Sequence, residues 1–377
     1  MTEKPLLALS MIVKNEADSI QNVLMSCYGV VDYAYILDTG STDGTQSLAL
    51  DTLNKLGIPG RIEQGVFDGF AATRNRALEK SEKEAQFSLI LSGDEYLQDT
   101  ATLRYALQNL PDRDVFSLIT KLTFSGIVNT IPRIIRSGQG IRYVGRIHEE
   151  LVGYKSAAHI PTMVIHDDRY MSDPEKKKNR YLRDKSMILE AIEKGERVPI
   201  MLEYLFNTMY LLGEYQEIVD FSKKYRKQLI PKSHRPVMQS KLKLGLDARE
   251  DFDIAIQDLS IAKHVMYDFA LHLHREGKHG EAIQYALFCS DPSIPNSVQA
   301  GWTELAMITW KPHWLVSSIA AALGEKELAL KAGACAVLES NEDPRIVSLV
   351  EKLVDREALQ AILHQVKNSD LSESKPS

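Results

Sequence analysis

The sequence predicts two domains, an α/β domain with a mostly parallel sheet followed by an all-α domain. Two observations support this. Residues 1–172 alternate short apolar runs with helical patterns, which favours parallel strands joined by right-handed crossovers. From about residue 175 the pattern is helical, and Gly213, Gly245 and Gly277 recur every 32 residues, close to the ~34-residue tetratricopeptide period. A chain of 377 residues also favours two domains over one.

Each predicted element follows from a local pattern. The predicted strands are residues 6–13, 33–38, 61–64 and 87–92, and the predicted helices are residues 17–29, 43–57 and 69–85. After residues 114–126 we expect short strands. The first helix of the second domain should begin with Asp173 as N-cap and Pro174 at its first position, and end at Gly195. The repeat domain is predicted over 173–366, and the polar stretch 367–377 is expected to be a disordered tail.

Composition excludes some functions. The net charge of −6 argues against general nucleic-acid binding, which usually shows a basic excess. The three cysteines are far apart and form neither a metal spacing nor a disulfide framework, which favours a reducing compartment. No stretch approaches the ~20 apolar residues of a transmembrane helix, and no signal peptide is apparent. We therefore expect a cytoplasmic protein without a transmembrane segment, which can still act on a membrane-bound acceptor.

Polar side chains follow three of the predicted strands. Asn15 and Glu16 come after the first strand, Asp38 ends the second, and Asp94 and Glu95 follow the fourth. Ligands of parallel α/β sheets bind at the carboxyl ends of the strands. These groups are therefore expected to converge on one edge, where Asn15, Glu16 and Asp38 would contact a bound nucleotide.

The stretch "LILSGDEYL" predicts a cation site at a strand end. Asp94 suits Mg²⁺ or Mn²⁺, which take few protein carboxylates and complete their shells with water and substrate phosphates. Ser92 stands where a second Asp would complete an Asp-x-Asp pair. Ser92 and Gly93 are expected to contact the bound nucleotide. His166, in "MVIHDDRY", is a second metal or phosphate candidate, although a lone histidine is more often structural.

Two further stretches suit a nucleotide. In "DTGSTDGT", small residues including Ser41 let the backbone approach a ligand closely, and Asp38 can accept from a base or ribose. The alternative for Asp43 is a helix N-cap. In "ATRNRAL", Arg74 suits a phosphate, whereas Arg76 is expected on a solvated helix face.

The stretch "YVGRIHEELVG" is the candidate source of a general base. Glu149 is the first choice and His148 the second, because each can take a proton from an attacking hydroxyl. Glu150 better fits a structural salt bridge. Four arginines of this region are expected to balance a polyanionic donor or to pair with nearby acids: Arg133, Arg136, Arg142 and Arg146.

Taken in order, "LSMIVKNEADSI", "YILDTGSTDGT", "AATRNRAL", "LILSGDEYL" and "RIHEELVG" resemble the inverting glycosyltransferases of family 2, which have a GT-A fold. The later "VIHDDRY" and "KKKNRYLRD" are similar to a bacterial subgroup with a tetratricopeptide-like C-terminal region. The resemblance implies that Asp38 and Asp43 meet the nucleoside, Arg74 a phosphate or ribose, and Asp94 the divalent metal. The family usually has Asp where this chain has Ser92.

The hypothesis from the sequence is an inverting glycosyltransferase that uses a UDP-sugar with Mn²⁺ or Mg²⁺. The acceptor would be a saccharide, a peptide or a lipid-linked sugar, and the helical domain would hold the acceptor or a second copy of the chain. The alternative is a catalytically degenerate GT-A domain that binds nucleotide or glycan, with the repeats as a protein-interaction scaffold. A nucleotidyltransferase is less favoured, since no Gly-rich basic loop follows the first strand.

Overall fold

A computed structural model describes residues 4–123, 127–166, 173–291 and 303–373. The chain divides into two compact units, Met1–Met201 and Leu202–Ser377. The sequence predicts a boundary after residue 172, which would assign the helix Pro174–Glu193 to the second domain. In the structure this helix belongs to the first unit.

The first unit is built on a twisted, mostly parallel sheet. Its strands are β1 (Leu7–Val13), β2 (Tyr33–Asp38), β3 (Gly60–Gln64), β4 (Phe87–Ser92), β5 (Glu95–Gln98), β6 (Val115–Leu122), β7 (Ile127–Arg136) and β10 (Ala157–His166). The order is β3-β2-β1-β4-β7-β6-β10-β5. Strands β3, β2, β1 and β4 are mutually parallel, as are β6 and β10, whereas β7 and β5 run antiparallel to their neighbours. A separate hairpin pairs β8 (Arg142–Val144) with β9 (Glu150–Val152).

The first unit also contains helices, and the first four of them contact strands of the sheet. The helices are α1 (Ile20–Ser26), α2 (Thr45–Leu56), α3 (Phe70–Glu84), α4 (Leu103–Asn109) and α5 (Pro174–Glu193). Helix α5 begins as predicted, since the Asp173 side chain accepts hydrogen bonds from the backbone N–H groups of Glu175 and Lys176. In the core, Leu7, Ala8, Leu9, Ser10 and Met11 of strand β1 are all buried. Because successive side chains point to opposite faces, both faces of this parallel strand are covered.

The second unit is helical over its described residues, apart from the two-residue strand β11 (Thr303–Glu304). Its helices are α6 (Val198–Leu212, which begins in the first unit), α7 (Tyr215–Lys224), α8 (Pro231–Lys243), α9 (Arg249–Ala255), α10 (Ala262–Arg275), α11 (His279–Ser290), α12 (Leu305–Ile308), α13 (Trp310–Leu323), α14 (Lys326–Glu339), α15 (Pro344–Val350) and α16 (Arg356–Glu373). Gly213, Gly245 and Gly277 have positive φ and end α6, α8 and α10. The predicted helix–glycine turn–helix units are confirmed at these positions.

The predicted fold class, a GT-A-type α/β domain followed by an all-α domain, agrees with this topology. The disordered tail expected from residue 367 stays a prediction, and the structure extends α16 to Glu373. No Gly or Pro interrupts the sequence between Arg356 and Pro376. Residues 374–377 lie outside the described part of the chain. None of the described helices is long and apolar enough to cross a membrane.

Candidate functional site

The predicted strand ends lie side by side. In the sheet register, Val13 at the end of β1 pairs with Asp38 of β2, and Ile12 pairs with Ser92 of β4 on the other side. The loops that follow β1, β2 and β4 therefore meet at one edge, which explains why their polar residues gather there.

Asp38 is a fully buried carboxylate that accepts hydrogen bonds from the backbone of the loop after β2. Its Oδ1 accepts hydrogen bonds from the backbone N–H groups of Gly40 and Ser41, each at 2.8 Å. Burial by itself raises the pKa of Asp38, but the hydrogen bonds from Ser41 and Gly40 outweigh burial and lower it. Its Oδ2 is buried and has no hydrogen-bond partner of normal geometry in the described structure. A buried acceptor of this kind suits an N–H or O–H of a ligand.

The loops after β1 and β2 are tied together by hydrogen bonds. Asn15 N–H donates to Ser41 Oγ at 2.8 Å, and Thr42 N–H donates back to Asn15 Oδ1 at 2.9 Å. Ala17 N–H donates to Asp43 Oδ2 at 3.0 Å. Asn15 adopts a left-handed backbone, with φ +57°, which asparagine tolerates well. Asn15 and Ser41 therefore hold the two loops in register.

Thr45 completes this arrangement. Its hydroxyl donates to Asp43 Oδ1 at 2.5 Å and accepts from the backbone N–H of Glu16 at 2.8 Å. Both oxygens of Asp43 are thus engaged by the protein. Gly44 is the N-cap residue of α2, but Asp43 Oδ1 also accepts a hydrogen bond from the backbone N–H of Thr45, the first residue of that helix, at 3.1 Å. Its geometry favours a brace between loops over the nucleoside contact that the resemblance implies.

Glu16 lies directly against Gly93. A Cβ added to Gly93 would come within 2.4 Å of Glu16 Cγ, so a side chain at position 93 would displace Glu16. Burial and the neighbouring Asp94 raise the pKa of Glu16 to about 7, although a hydrogen bond from Ser19 opposes the shift. Glu16 is therefore a second carboxylate close to the candidate cation site.

Asp94 and His166 come together from different strands. Asp94 lies in the turn between β4 and β5, and its Oδ2 is 3.2 Å from Nε2 of His166 at the end of β10. Burial by itself lowers the pKa of His166, but Asp94 and Glu95 outweigh burial and raise it. His166 Nδ1 faces Glu95 Oε1 at 3.6 Å. The two predicted metal residues are thus neighbours, although they are 72 positions apart in the chain.

The Glu95 carboxylate forms an ion pair with a buried arginine. Arg133 Nη1 and Nη2 donate to its two carboxylate oxygens at 2.9 and 2.6 Å. Burial opposes ionisation of Glu95, but Arg133 and His166 outweigh it and lower its pKa to about 2. The other three arginines of this region also lie near acids: Arg136 near Asp112, Arg142 near Glu82, and Arg146 near Glu190. Of the two roles expected for these arginines, pairing with acids is the one the structure supports.

The Asp94 and His166 side chains fit a divalent cation as a partial ligand set. Nε2 of His166 is buried and lies in ion-pair contact with the Asp94 carboxylate. Its 3.2 Å distance from Asp94 Oδ2 is near the ~3 Å between adjacent ligands of a small octahedral ion. Among the described residues, no group of three or more His, Cys, Asp or Glu side chains is placed to hold a metal. Oxygens of a diphosphate would have to complete the shell.

Arg74 joins the metal strand to the predicted base. Its Nε lies 2.6 Å from Glu149 Oε1, and its Nη2 lies 3.4 Å from Ser92 Oγ. Burial by itself raises the pKa of Glu149, but Arg74 outweighs burial and lowers it. Arg74 Nη1 is buried and has no hydrogen-bond partner in the described structure. Glu149 is therefore ionised at neutral pH, and Arg74 retains one donor group for a ligand.

The hairpin that carries Glu149 is fixed to α3. Asn75 Nδ2 donates to Tyr143 O at 2.9 Å, and Tyr143 N–H donates to Asn75 Oδ1 at 2.8 Å. His148 has a left-handed backbone, with φ +49°, and burial lowers its pKa. Glu150 pairs with Arg197, which supports the structural salt bridge predicted for it. Arg76 pairs with Asp68 on the surface, consistent with a solvated face.

Sequence reasoning missed two contacts of this site. Arg133 was expected only as one of four interchangeable arginines, and Arg197 was not singled out at all. Their partners, Glu95 and Glu150, are 38 and 47 positions away in the chain, so no local spacing reveals the pairs. The one available signal was the excess of arginines over residues 133–146 beside acidic stretches.

Comparisons with known proteins agree with these observations in part. No protein-family model matches the chain. A TPR repeat-containing protein from Synechococcus elongatus is 31% identical over 146 residues, which are 38% of this chain and 34% of that protein. The match thus spans about a third of the length of that relative.

Solved structures of low similarity include two complexes with nucleotide sugars. S. aureus TarS residues 1–349 with UDP-GlcNAc gives a TM-score of 0.39 at 14% identity, covering 72% of this chain and 92% of that chain. The mannosyltransferase PcManGT from Pyrobaculum calidifontis, with GDP-Man and Mn²⁺, gives 0.37 at 16% identity, covering 69% and 76%.

Proposed function

We propose that the chain is a metal-dependent inverting glycosyltransferase of the family 2 type, which transfers a sugar from a UDP-sugar to a hydroxyl of its acceptor. The observation that carries the proposal is the meeting of Asp94 and His166 at 3.2 Å, at the edge where β1, β2 and β4 end and where Arg74 contacts Ser92, two residues before Asp94. Carboxylate, imidazole and guanidinium together suit a cation-bound diphosphate.

The donor would be held by groups that remain available in the described structure. Asp38 Oδ2 would accept from the base or ribose, and Arg74 Nη1 would donate to a ribose or phosphate oxygen. Ser92, beside Arg74, can exchange one hydrogen bond with a ribose hydroxyl but adds no negative charge. Asp94 and His166 would hold Mn²⁺ or Mg²⁺, which when bound offsets negative charge on the leaving diphosphate.

Glu149 would act as the general base. Its carboxylate, kept ionised by Arg74, takes the proton of the acceptor hydroxyl while that oxygen attacks the anomeric carbon. The new C–O bond forms on the face of the anomeric carbon opposite the diphosphate. The bond from that carbon to the diphosphate breaks, and the diphosphate leaves with the electron pair, so the configuration at the anomeric carbon inverts. Arg74 would stabilise the Glu149 carboxylate through Nε and the departing phosphate through Nη1.

The acceptor, assembly and cell compartment are further parts of the proposal. The helical unit would bind a saccharide, peptide or lipid-linked acceptor, or a second copy of the chain, because stacked helical repeats form extended binding surfaces. All three cysteines are free thiols, which supports a reducing, cytoplasmic location.

A thermal-shift panel of nucleotide sugars, with and without Mn²⁺, tests the proposal directly. A ligand that binds only the folded state raises its stability by mass action, by about 2.7 kcal/mol at 100 times Kd. We expect a shift with UDP-sugars that requires the cation, and UDP release on incubation. No shift with any donor would contradict the proposal.

Two observations favour the alternative, a nucleotide-binding module without transferase activity. The base candidate is already ion-paired with Arg74, and Ser92 replaces the first acid of the metal motif. Under that alternative, UDP and Mn²⁺ bind but UDP is never released from any UDP-sugar. Metal-dependent release of UDP therefore separates the two functions.

A further inference from the structure

The loop between β8 and β9, residues 145–149, carries both base candidates and is held from two sides. On one side, the N–H of Phe70 at the start of α3 donates to Arg146 O at 3.0 Å. Gly69 packs there so closely that an added Cβ would lie 3.1 Å from Arg146 Cγ. These contacts fix the first half of the loop.

Arg197 holds the other half of the loop. Its Nη1 donates to the backbone carbonyl of His148 at 3.2 Å, and its Nη2 pairs with Glu150 Oε1. The same Nη1 lies 2.9 Å from the position that a Cβ on Gly145 would take. One guanidinium thus touches the residues on both sides of Glu149 and the glycine that opens the loop.

Two strained backbones accompany this contact. Arg197 has φ +47° and His148 has φ +49°, a left-handed conformation that costs about 1–2 kcal/mol for residues with a Cβ. Glycine would adopt this backbone at position 197 without cost. The backbone conformation at position 197 therefore does not favour an arginine, and strained residues of this kind gather at functional sites.

We propose that Arg197 is a positioning residue that holds the His148–Glu149–Glu150 segment in the geometry required for proton transfer. The proposal rests on the function proposed above. The Arg197 side chain is 21% exposed, and it contacts the loop rather than any side chain proposed to bind the nucleotide. Replacing Arg197 should therefore lower turnover and leave nucleotide affinity unchanged.

The test compares Arg197→Gly, Arg197→Lys and wild type in the full chain. Glycine removes the contacts and relieves the backbone strain, whereas lysine keeps the charge and one donor. Asn341→Gly is the matched control, because it relieves a left-handed backbone, φ +52°, in the second unit. The readouts are the thermal midpoint, hydrogen exchange of residues 145–152, UDP affinity with Mn²⁺, and kcat and KM for UDP release.

For Arg197→Gly we expect a thermal midpoint at or above that of wild type, faster exchange over residues 145–152, and unchanged UDP affinity. We expect kcat to fall about 100-fold, the size of effect that misplacing a reacting group by ~1 Å can produce. Lysine should restore part of kcat, and Asn341→Gly should change neither exchange nor kcat.

Unchanged exchange over 145–152 would overturn the proposal, and so would a loss of UDP affinity equal to the loss of kcat. If wild type neither binds UDP nor releases it, the proposed function fails. The exchange data then still decide whether Arg197 holds the loop.

Discussion

Arg74 and Glu149 form an ion pair of 2.6 Å between helix α3 and the β8–β9 hairpin. Their side chains are 14% and 16% exposed, so the pair is largely removed from water. A mostly buried pair depends on both partners, because removing one leaves the other charge uncompensated. Under the proposed function, the pair would bring the donor side and the acceptor side of the site into direct contact.

Glu149→Gln should lower turnover far more than donor binding. Loss of a general base typically costs ~10²–10⁴ in rate. Steady-state release of UDP measures kcat, and calorimetry with UDP and Mn²⁺ measures affinity. Glu79→Gln, which removes an exposed carboxylate from α3, is the control and should leave both unchanged. If Glu149→Gln keeps full kcat while His148→Ala abolishes it, the base has been assigned to the wrong neighbour.

Asp94→Asn should abolish binding of the cation together with the nucleotide. In wild type we expect Mn²⁺ to bind weakly alone and much better with UDP, because the described side chains supply an incomplete ligand set. Ser92→Ala should weaken only UDP binding, by about 0.5–1.5 kcal/mol for one neutral hydrogen bond. Titration of Mn²⁺ with and without UDP measures both. Tight Mn²⁺ binding in the absence of nucleotide would place the cation elsewhere.

Gly93→Ala should disturb the site through Glu16. The added methyl would come within 2.4 Å of Glu16 Cγ, so Glu16 must move or the turn must shift. Overpacking of this kind costs about 1–3 kcal/mol of unfolding free energy, and we expect weaker binding of UDP with Mn²⁺. Gly280→Ala is the matched control, since its Cβ meets nothing within 4 Å. Equal behaviour of the two variants would show that Glu16 is free to move aside.

Glu95→Gln should destabilise the first unit strongly. It leaves Arg133 buried, at 8% exposure, without its carboxylate, and breaking such a pair costs about 3–5 kcal/mol. Urea unfolding of wild type and variant measures the loss. Asp68→Asn breaks the exposed pair with Arg76 and should cost only about 0–1 kcal/mol. A Glu95→Gln protein as stable as Asp68→Asn would contradict the importance of this pair.

The second unit should lose stability in acid through Asp251. This carboxylate contacts His234 Nδ1 at 2.7 Å and Lys241 Nζ at 2.5 Å. Burial alone raises its pKa, but His234 and Lys241 outweigh burial and lower it below the ordinary value of 3.8. Because the folded pKa is the lower one, the stabilisation is present above about pH 4 and is lost as pH falls through the folded pKa.

Thermal unfolding of wild type and Asp251→Asn across pH 2–7 measures this effect. The difference between their midpoints should be largest near neutral pH and should shrink below pH 4. A constant difference over the whole range would show that Asp251 stabilises the unit by packing alone.

The sequence predicts much of the fold because the first unit is built from locally encoded elements. Strands β2 and β4 have the predicted bounds, since each is an apolar run between polar or turn residues. Strand β5 was missed, because Glu95 looks like a loop residue until Arg133, from a distant strand, neutralises it. A buried charge cannot be recognised without its partner.

The site was predictable as a set of strand ends but not as a set of contacts. Sheet topology brings Asp38 and Ser92 to either side of β1. The alternating pattern predicted that they share one edge but did not specify the strand order. The contacts of Arg74 with Glu149 and of Arg197 with His148 join residues 75 and 49 positions apart, through loops whose paths no local pattern specifies. Such pairs depend on tertiary packing.

The hydrogen bonds that join the loops after β1 and β2 have a kinetic consequence. Because Asn15 and Asp43 fix these loops during folding, nucleotide association does not wait for them to become ordered. The observed rate of UDP association should then rise in proportion to UDP concentration, without levelling off at the rate of a loop rearrangement. This half of the site would thus behave as a rigid receptor, whose discrimination between nucleotides resides mainly in their dissociation rates.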